Sequence, residues 1–368
     1  MRAPKNINFV ITPVGESCNL DCIYCTRNED SRIYKPINGN DDVLNTLSNL
    51  FNSISNSDLK NVVFTWHGGE PTLKSIEFYE KVLNLQDKIL YGKKYINVIQ
   101  TNGLNLNEDY INFFKKAKFY VGISIDGPEY CDNILRFKSE KEFNTVMQNI
   151  YLAKKMGLKF SIFMVLHKKN VHRKKEIFEF VSQLHPEMGV AINPLYLKYN
   201  LMKESYMISN DEYFEFMKDL YLYMKQNKIE LRNNILSNIE DGLFNNRIPR
   251  LCHFSNRCNS FISVSENGDL YSTCYFKNEY YLGNINKTSF EDIFLQHIKN
   301  NEEINNNILS KKTMFELLGK NEKFKYFQGK GCTKRSKNRV DYYMETMLKL
   351  IKYISQYDGG IYENNSAN

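Results

Sequence analysis

Short apolar runs alternate with longer amphipathic stretches along the first half of the chain. The short runs are rich in Val, Ile, Phe and Tyr, which favours strands, and the longer stretches have their apolar positions at helical spacing. We predict strands at about residues 7–13, 61–66, 95–101, 119–125, 159–165 and 190–194. We predict helices between them at about residues 41–55, 75–90, 108–116, 141–156 and 172–184. This alternation is typical of βαβ units, so the sequence predicts an α/β fold with a partial parallel barrel, a (β/α)6 TIM-like barrel.

Three polar motifs follow or end predicted strands. They are His67-Gly68-Gly69-Glu70-Pro71, Gln100-Thr101-Asn102-Gly103 and Ser124-Ile125-Asp126-Gly127-Pro128. Each motif contains Gly or Pro, so turn formation explains part of it. A turn does not itself require the carboxyl, amide and hydroxyl groups of these motifs. Because parallel barrels have their chemistry in the loops after the strands, we expect these groups to lie at one rim.

Three cysteines, Cys18, Cys22 and Cys25, follow the first predicted strand in one short loop. Three thiolates do not complete a four-coordinate zinc site, and no His lies near them in the sequence. They suit a cubane iron–sulfur cluster with one iron left open for a substrate, since such clusters are held by Cys thiolates. The spacing alone leaves two alternatives, a structural zinc knuckle completed by a distant Cys and a chance cluster.

The pattern Cys18-x3-Cys22-x2-Cys25, with the aromatic Tyr24 before the third Cys, resembles the signature of the radical SAM superfamily. The resemblance implies that the open iron of a [4Fe–4S] cluster chelates the amino and carboxylate groups of S-adenosylmethionine. It also implies that one electron from the cluster cleaves the sulfonium to give a 5′-deoxyadenosyl radical. This radical then takes a hydrogen atom from the substrate.

The resemblance covers about residues 5–340 and extends to the three polar motifs. The strings around residues 66–73, 100–103 and 122–128 are similar to those of anaerobic sulfatase-maturating enzymes and related peptide maturases. His67 and Gln100 are thereby candidate substrate contacts at the barrel mouth. The contacts to S-adenosylmethionine that the resemblance implies are the backbone of Tyr24 at the adenine, Gly68, Gly69, Glu70 and Pro71 at the amino group, Ser124 and Asp126 near the ribose and carboxylate, and Ile192 against the adenine ring.

A second group of cysteines lies in the last third of the chain. Its members are Cys252, Cys258, Cys274 and Cys332, the number of thiols that a closed cluster or a structural zinc requires. Free buried cysteines are the alternative, because Cys is often a small core residue. Between these cysteines, Asn267-Gly268 separates two short apolar runs and predicts a β-hairpin.

This region resembles the SPASM domain of peptide-modifying radical SAM enzymes. The resemblance implies that the four cysteines are the ligands of one auxiliary [4Fe–4S] cluster, as in shortened, Twitch-like domains. Ligands for a second auxiliary cluster are missing, since no Cys follows Cys332. Sulfatase-maturating enzymes have a basic Asp directly after the Cys that corresponds to Cys274, where this chain has Tyr275. A phenol with a pKa near 10 is a poor base at neutral pH, so Tyr275 is a candidate catalytic residue of uncertain role and formylglycine formation is in doubt.

Four regions follow from these assignments. We predict a radical SAM partial barrel at residues 1–200, a helical linker region at 201–249, a SPASM/Twitch-like auxiliary iron–sulfur domain at 250–340, and a C-terminal helix with a disordered tail at 341–368. Within the linker region we predict helices at about residues 211–226 and 233–245.

Composition and charge limit the expected location of the protein and the classes of partner. The chain has 368 residues, is 42% hydrophobic and contains no apolar run long enough to span a bilayer, so we expect a protein with a large core and no membrane partner. Its eight cysteines without a secretion signal favour metal binding in a reducing compartment, and we expect the cytoplasm. The net charge of +7 is modest, and its only dense basic run is residues 330–339, so we do not expect nucleic acid as the partner.

Together these features predict a radical SAM enzyme that abstracts hydrogen from a peptide or protein, as in crosslinking, epimerisation or oxidation. Three alternatives stay open: an anaerobic sulfatase-maturating enzyme, a radical SAM enzyme on a small molecule, and a metal-stabilised RNA-binding protein. The resemblance implies a low-potential electron donor such as flavodoxin or ferredoxin.

Overall fold

The computed structural model describes residues 5–25, 40–195, 205–255, 260–272, 280–306, 312–329 and 340–365. Within these residues the strands are β1 (Asn6–Ile11), β2 (Asn61–Trp66), β3 (Lys94–Thr101), β4 (Tyr120–Ser124), β5 (Phe160–Leu166), β6 (Val190–Pro194), β7 (Phe261–Val264), β8 (Asp269–Tyr271) and β9 (Tyr281–Asn284). The helices are α1 (Asn40–Ser55), α2 (Ile76–Ile89), α3 (Glu108–Lys116), α4 (Glu140–Lys155), α5 (Lys174–Leu184), α6 (Asn210–Gln226), α7 (Leu236–Leu243), α8 (Cys252–Ser255), α9 (Phe290–Asn306), α10 (Met314–Leu317) and α11 (Val340–Asn365).

The six strands and seven helices that the hydrophobic pattern predicts up to residue 245 are confirmed, with ends that differ by a few residues. Local signals explain several of these ends. Ser75, Asn107 and Ser139 each accept a hydrogen bond from a backbone N–H in the first turn of α2, α3 and α4. Gly157 follows α4 with a φ of +69°, a conformation that favours glycine. The predicted α/β fold with parallel strands is therefore confirmed.

Contacts divide the chain into two units that interleave along the sequence. The first consists of Met1–Ser124, Leu135–Phe160 and Cys258–Glu303, and the second of Ile125–Ile134, Ser161–Arg257 and Ile304–Asn368. In the second unit β5 pairs with β6 in parallel, with Met164 opposite Ile192. Helix α6 packs in that unit against α11, where Lys349 donates to Asp211 at 2.8 Å.

The sheet of the first unit is open and has the strand order β4-β3-β2-β1-β7-β8-β9. Strands β1 to β4 are parallel, and β7 also pairs with β1 in parallel, with Phe9 opposite Ile262. The hairpin predicted at Asn267-Gly268 is confirmed, because β7 and β8 are antiparallel around this turn. The sequence did not indicate that the hairpin extends the sheet from its first strand.

The two faces of this sheet differ. Phe64 packs against Phe51 of α1 at a centroid distance of 5.1 Å, and Asn97 donates to Gln86 of α2 at 2.8 Å. Side chains alternate along strands, so neighbouring positions point away from α1 and α2. We call that opposite side the site face. At the carboxyl ends of β2, β3 and β4 it includes residues Thr65, His67, Gln100 and Ser124. None of the helices in the described ranges is long and apolar enough to cross a membrane.

Candidate functional site

The cysteine loop begins directly after β1, at the carboxyl end of the sheet of the first unit. Cys18, Cys22 and Cys25 are half-buried thiols. The backbone N–H of Cys25 donates to the carbonyl of Cys22 at 3.0 Å, which closes a tight turn between these two ligands. The parallel strands therefore bring the loop to the same edge of the sheet as the first two polar motifs and Ser124.

Two glycines hold the start of this loop against β2. Gly69 donates its backbone N–H to the carbonyl of Gly15 at 2.9 Å, and Glu70 donates to that of Ser17 at 2.8 Å. A Cβ on Gly69 would lie 1.8 Å from the Ser17 carbonyl oxygen. At Gly68 the φ is +120°, and a Cβ would lie 2.8 Å from the Gly15 oxygen. Only glycine at both positions allows the two backbone segments to approach so closely.

Glu70 is fully buried and joins the ends of β2 and β3. Its Oε1 accepts hydrogen bonds from the backbone N–H of Thr72 at 2.9 Å and from the hydroxyls of Thr72 and Thr101 at 2.5 and 2.8 Å. Its Oε2 accepts from the backbone N–H of Asn102 at 2.7 Å. Burial raises the pKa of this carboxyl, and the four donors oppose the shift. The Glu70 side chain thus has a structural role, because it links the ends of β2 and β3.

Replacing Glu70 by Gln should lower the free energy of unfolding by about 2 to 3 kcal/mol. Gln keeps one acceptor but directs an NH2 group at a donor, most simply the Asn102 N–H, which is then left buried and unpaired. Chemical denaturation followed by circular dichroism measures the change. Glu80→Gln, on the exposed side of α2, is the matched control and should stay within about 0.5 kcal/mol of the wild type. Equal effects of the two substitutions would contradict this role of Glu70.

The side of the loop near Tyr24 is held by the segment before α4. Ile23 donates its backbone N–H to the Leu135 carbonyl at 2.8 Å. The guanidinium of Arg136 lies 5.5 Å from the centroid of the Tyr24 ring, and both side chains are buried. A cation–π contact away from water contributes about 2 kcal/mol. The sequence analysis did not identify Arg136, because only the fold brings it beside the loop.

The side of the loop near Cys18 contacts the end of β3. The Cys18 sulfur accepts the backbone N–H of Leu20 at 3.4 Å and the side-chain N–H of Asn102 at 3.7 Å. Burial raises the pKa of Cys18 to about 11, so its thiol keeps its proton at neutral pH until a metal displaces it. Sequence reasoning placed Asn102 only in a polar motif and gave it no contact to the cysteines.

The residues of the loop fit an iron–sulfur cluster in their chemistry. Three thiols lie within eight positions, and N–H groups point at the sulfur of one of them. Such N–H donors are among the features that set the potential of iron–sulfur clusters. Among the residues that the structure describes, no three His, Cys, Asp or Glu side chains already converge on one point. The assignment of the ligands therefore depends on the thiols, their half-burial and these donors.

The other predicted contacts divide between the two units. His67, Gln100 and Ser124 lie together at the carboxyl edge of the site face in the first unit. Asp126 and Ile192 belong to the second unit and are fully buried. Asp126 Oδ1 accepts the backbone N–H of Val165 at 2.9 Å, so at least one of its carboxylate oxygens has a structural partner.

The second cysteine group is described only in part. Cys252 is a half-buried thiol that begins α8. The other predicted ligands of the auxiliary cluster, Cys258, Cys274 and Cys332, lie outside the described residues, as does Tyr275. The auxiliary domain and its cluster therefore stay predictions.

Comparison with known proteins decides the family. The sequence profile of the Radical SAM superfamily matches residues 12–181, from the end of β1 to α5. Residues 12–181 form a radical SAM domain. It is 28% identical over 314 residues to the Cysteine-type anaerobic sulfatase-maturating enzyme of Clostridium novyi, and the match covers 81% of each chain.

Two solved structures show that this radical SAM enzyme shares their fold. Native anSMEcpe with bound AdoMet and Cp18Cys peptide superposes with a TM-score of 0.78 at 22% identity, over 98% of this chain and 99% of the other. Streptococcus suis SuiB bound to precursor peptide SuiA superposes with a TM-score of 0.53 at 14% identity, over 78% of this chain and 64% of the other. The predicted family is confirmed, and its cofactors are a [4Fe–4S] cluster and S-adenosylmethionine.

Proposed function

We propose that this radical SAM enzyme abstracts a hydrogen atom from a residue of a peptide or protein. The observation that supports this proposal is the common position of the cysteine loop, His67, Gln100 and Ser124 at one edge of the sheet. The relatives named above act in sulfatase maturation or have peptides bound, which favours a peptide over a small molecule.

Each part of the site has a task in this proposal. Cys18, Cys22 and Cys25 would hold the cluster, which together with bound S-adenosylmethionine supplies a 5′-deoxyadenosyl radical. The backbone of Gly68 and Gly69 binds the amino group of S-adenosylmethionine, because no side chain intervenes between it and a ligand. The Ser124 hydroxyl would hydrogen-bond the ribose or carboxylate, and the family resemblance implies Asp126 and Ile192 as further contacts of S-adenosylmethionine. His67 and Gln100, at the rim of the site face, contact the peptide.

The auxiliary cluster has a separate role. Cys252, Cys258, Cys274 and Cys332 would bind one further [4Fe–4S] cluster, which accepts the electron left on the product or fixes the substrate. A low-potential donor such as flavodoxin or ferredoxin would supply the electron to the first cluster. Tyr275, which follows Cys274 in the sequence, would donate a hydrogen bond, relay an electron or only pack, rather than remove a proton.

Anaerobic turnover tests the proposal. The reduced, iron-loaded protein should convert S-adenosylmethionine to 5′-deoxyadenosine, measured by liquid chromatography and mass spectrometry. A peptide substrate with deuterium at the reacting carbon should transfer that deuterium to the product. Absence of 5′-deoxyadenosine from a protein that contains iron and sulfide, with and without peptides, would refute the proposal.

A second candidate function is formylglycine formation, which the sulfatase-maturating relatives favour. Peptides that contain a Cys-type or Ser-type sulfatase motif should then change to the formylglycine mass. Unchanged peptide masses, together with ongoing formation of 5′-deoxyadenosine, would exclude this function and keep the general proposal. The position of Tyr275 favours that outcome.

A further inference from the structure

The Asn102 side chain lies between β3 and the cysteine loop in a fixed orientation. Its Oδ1 accepts the backbone N–H of Leu104 at 2.9 Å. A backbone N–H can only donate, so the oxygen of the Asn102 amide must face Leu104. The NH2 group therefore faces the other way, toward Cys18 Sγ at 3.7 Å and Asn19 Oδ1 at 2.7 Å.

Two more asparagines are hydrogen-bonded in series with Asn102, and their directions agree with the orientation that Leu104 sets. Asn19 Nδ2 donates to Asn105 Oδ1 at 3.3 Å, and Asn105 Nδ2 donates to the carbonyl of Thr72 at 3.2 Å. A carbonyl can only accept, so the Asn105 NH2 group must face Thr72 and its oxygen must face Asn19. The hydrogen bonds therefore run in one direction, from the NH2 group of Asn102 through Asn19 and Asn105 to the Thr72 carbonyl. Asn102 is 8% exposed, and its own backbone N–H is held by Glu70. The NH2 group of Asn102 is therefore held toward the Cys18 sulfur.

We propose that Asn102 is a positioning residue that sets the reduction potential of the cluster bound to Cys18, Cys22 and Cys25 through its N–H group at the Cys18 sulfur. This inference rests on the proposed cluster. Reduction adds one negative charge to the cluster and its thiolates, and a hydrogen-bond donor stabilises the more negative state more strongly. Asn102 therefore makes the cluster easier to reduce. The Leu20 N–H acts at the same sulfur, but only Asn102 acts through a side chain that substitution can remove.

Substitution of Asn102 by Leu removes the donor with little change in volume. The equilibrium constant for one-electron reduction should fall about tenfold, which is about 59 mV. Asn102→Asp keeps an oxygen for Leu104 and replaces the donor by a carboxylate oxygen, so the potential should fall further. The measurement is a redox titration monitored by electron paramagnetic resonance, on the signal that S-adenosylmethionine changes.

Asn105→Leu is the matched control, because it removes the far end of the asparagine series and leaves the N–H of Asn102 at Cys18. Its potential should stay near that of the wild type. The inference would be overturned if both Asn102 variants titrated like the wild type, or if Asn105→Leu lowered the potential as much as Asn102→Leu. If Asn102→Leu does not bind iron, the Asp variant decides alone. A wild-type protein without any signal that responds to S-adenosylmethionine would refute the proposed cluster itself, which is a distinct result.

Discussion

Replacing Cys18, Cys22 and Cys25 together by Ala should reduce the formation of 5′-deoxyadenosine at least about 1000-fold, a barrier increase of about 4 kcal/mol. The three thiols are the proposed ligands of the cluster, and the described loop has no other thiol to replace them. Anaerobic incubation of the reconstituted variant with S-adenosylmethionine and a strong reductant measures this loss. Cys131→Ala removes an exposed thiol in the second unit and is the matched control, which should keep wild-type activity.

The iron content of the same triple variant tests the second cysteine group. A loss of about four irons relative to the wild type is expected, with about four irons left on the auxiliary ligands. Near-zero residual iron would leave only the first cluster and make the later cysteines zinc ligands or core residues. It would also reopen small molecules as the substrate class. Unchanged formation of 5′-deoxyadenosine in the triple variant would refute the assignment of the first ligands.

Gly69→Ala should destabilise the protein by about 4 kcal/mol, because the backbone has no space for a methyl group at this position. The added Cβ would lie 1.8 Å from the Ser17 carbonyl oxygen, so the loop before Cys18 must move away from β2. This movement breaks the hydrogen bonds from Gly69 to Gly15 and from Glu70 to Ser17. Denaturant unfolding measures the loss of stability, and iron content after reconstitution measures the loss of the loop.

Gly92→Ala provides the control for Gly69→Ala. Gly92 has a φ of +82° and no atom within 4 Å of the added Cβ. Its substitution should cost about 1 to 2 kcal/mol from backbone strain alone and should leave iron binding unchanged. If Gly69→Ala were no more destabilising than Gly92→Ala, the inference that the backbone after β2 closely approaches the loop before Cys18 would be wrong.

The sequence alone was sufficient to predict the parallel strands and the edge of the sheet at which the candidate site lies. Both depend on local signals, namely apolar periodicity and polar motifs after strands. Gly68 and Gly69 were identified as ligand contacts, and the structure adds that they are also required by the backbone of residues 15–17. Their role toward S-adenosylmethionine remains a prediction.

Contacts between distant segments were not predictable in the same way. Nothing in the sequence near Arg136 indicates that it packs on Tyr24, and nothing near β7 indicates that it pairs with β1. The direction in which a side chain points was also not predictable from the sequence. Glu70 was predicted as part of a ligand motif, and the sequence did not indicate that its carboxylate accepts hydrogen bonds from four donors of the protein. Such choices depend on three-dimensional neighbours rather than on periodicity or spacing.

The pairing of β7 with β1 also affects when the cysteine loop can form during synthesis. Thr12, at the base of that loop, donates its backbone N–H and its hydroxyl to the carbonyl of Val264, which is 252 positions away. At ribosomal rates of roughly 5–20 residues per second, Val264 is made roughly 10–50 s after Thr12. During that interval the nascent chain has an unpaired edge at β1 and an incomplete support for its thiols. Insertion of the cluster into a finished loop therefore follows the synthesis of β7.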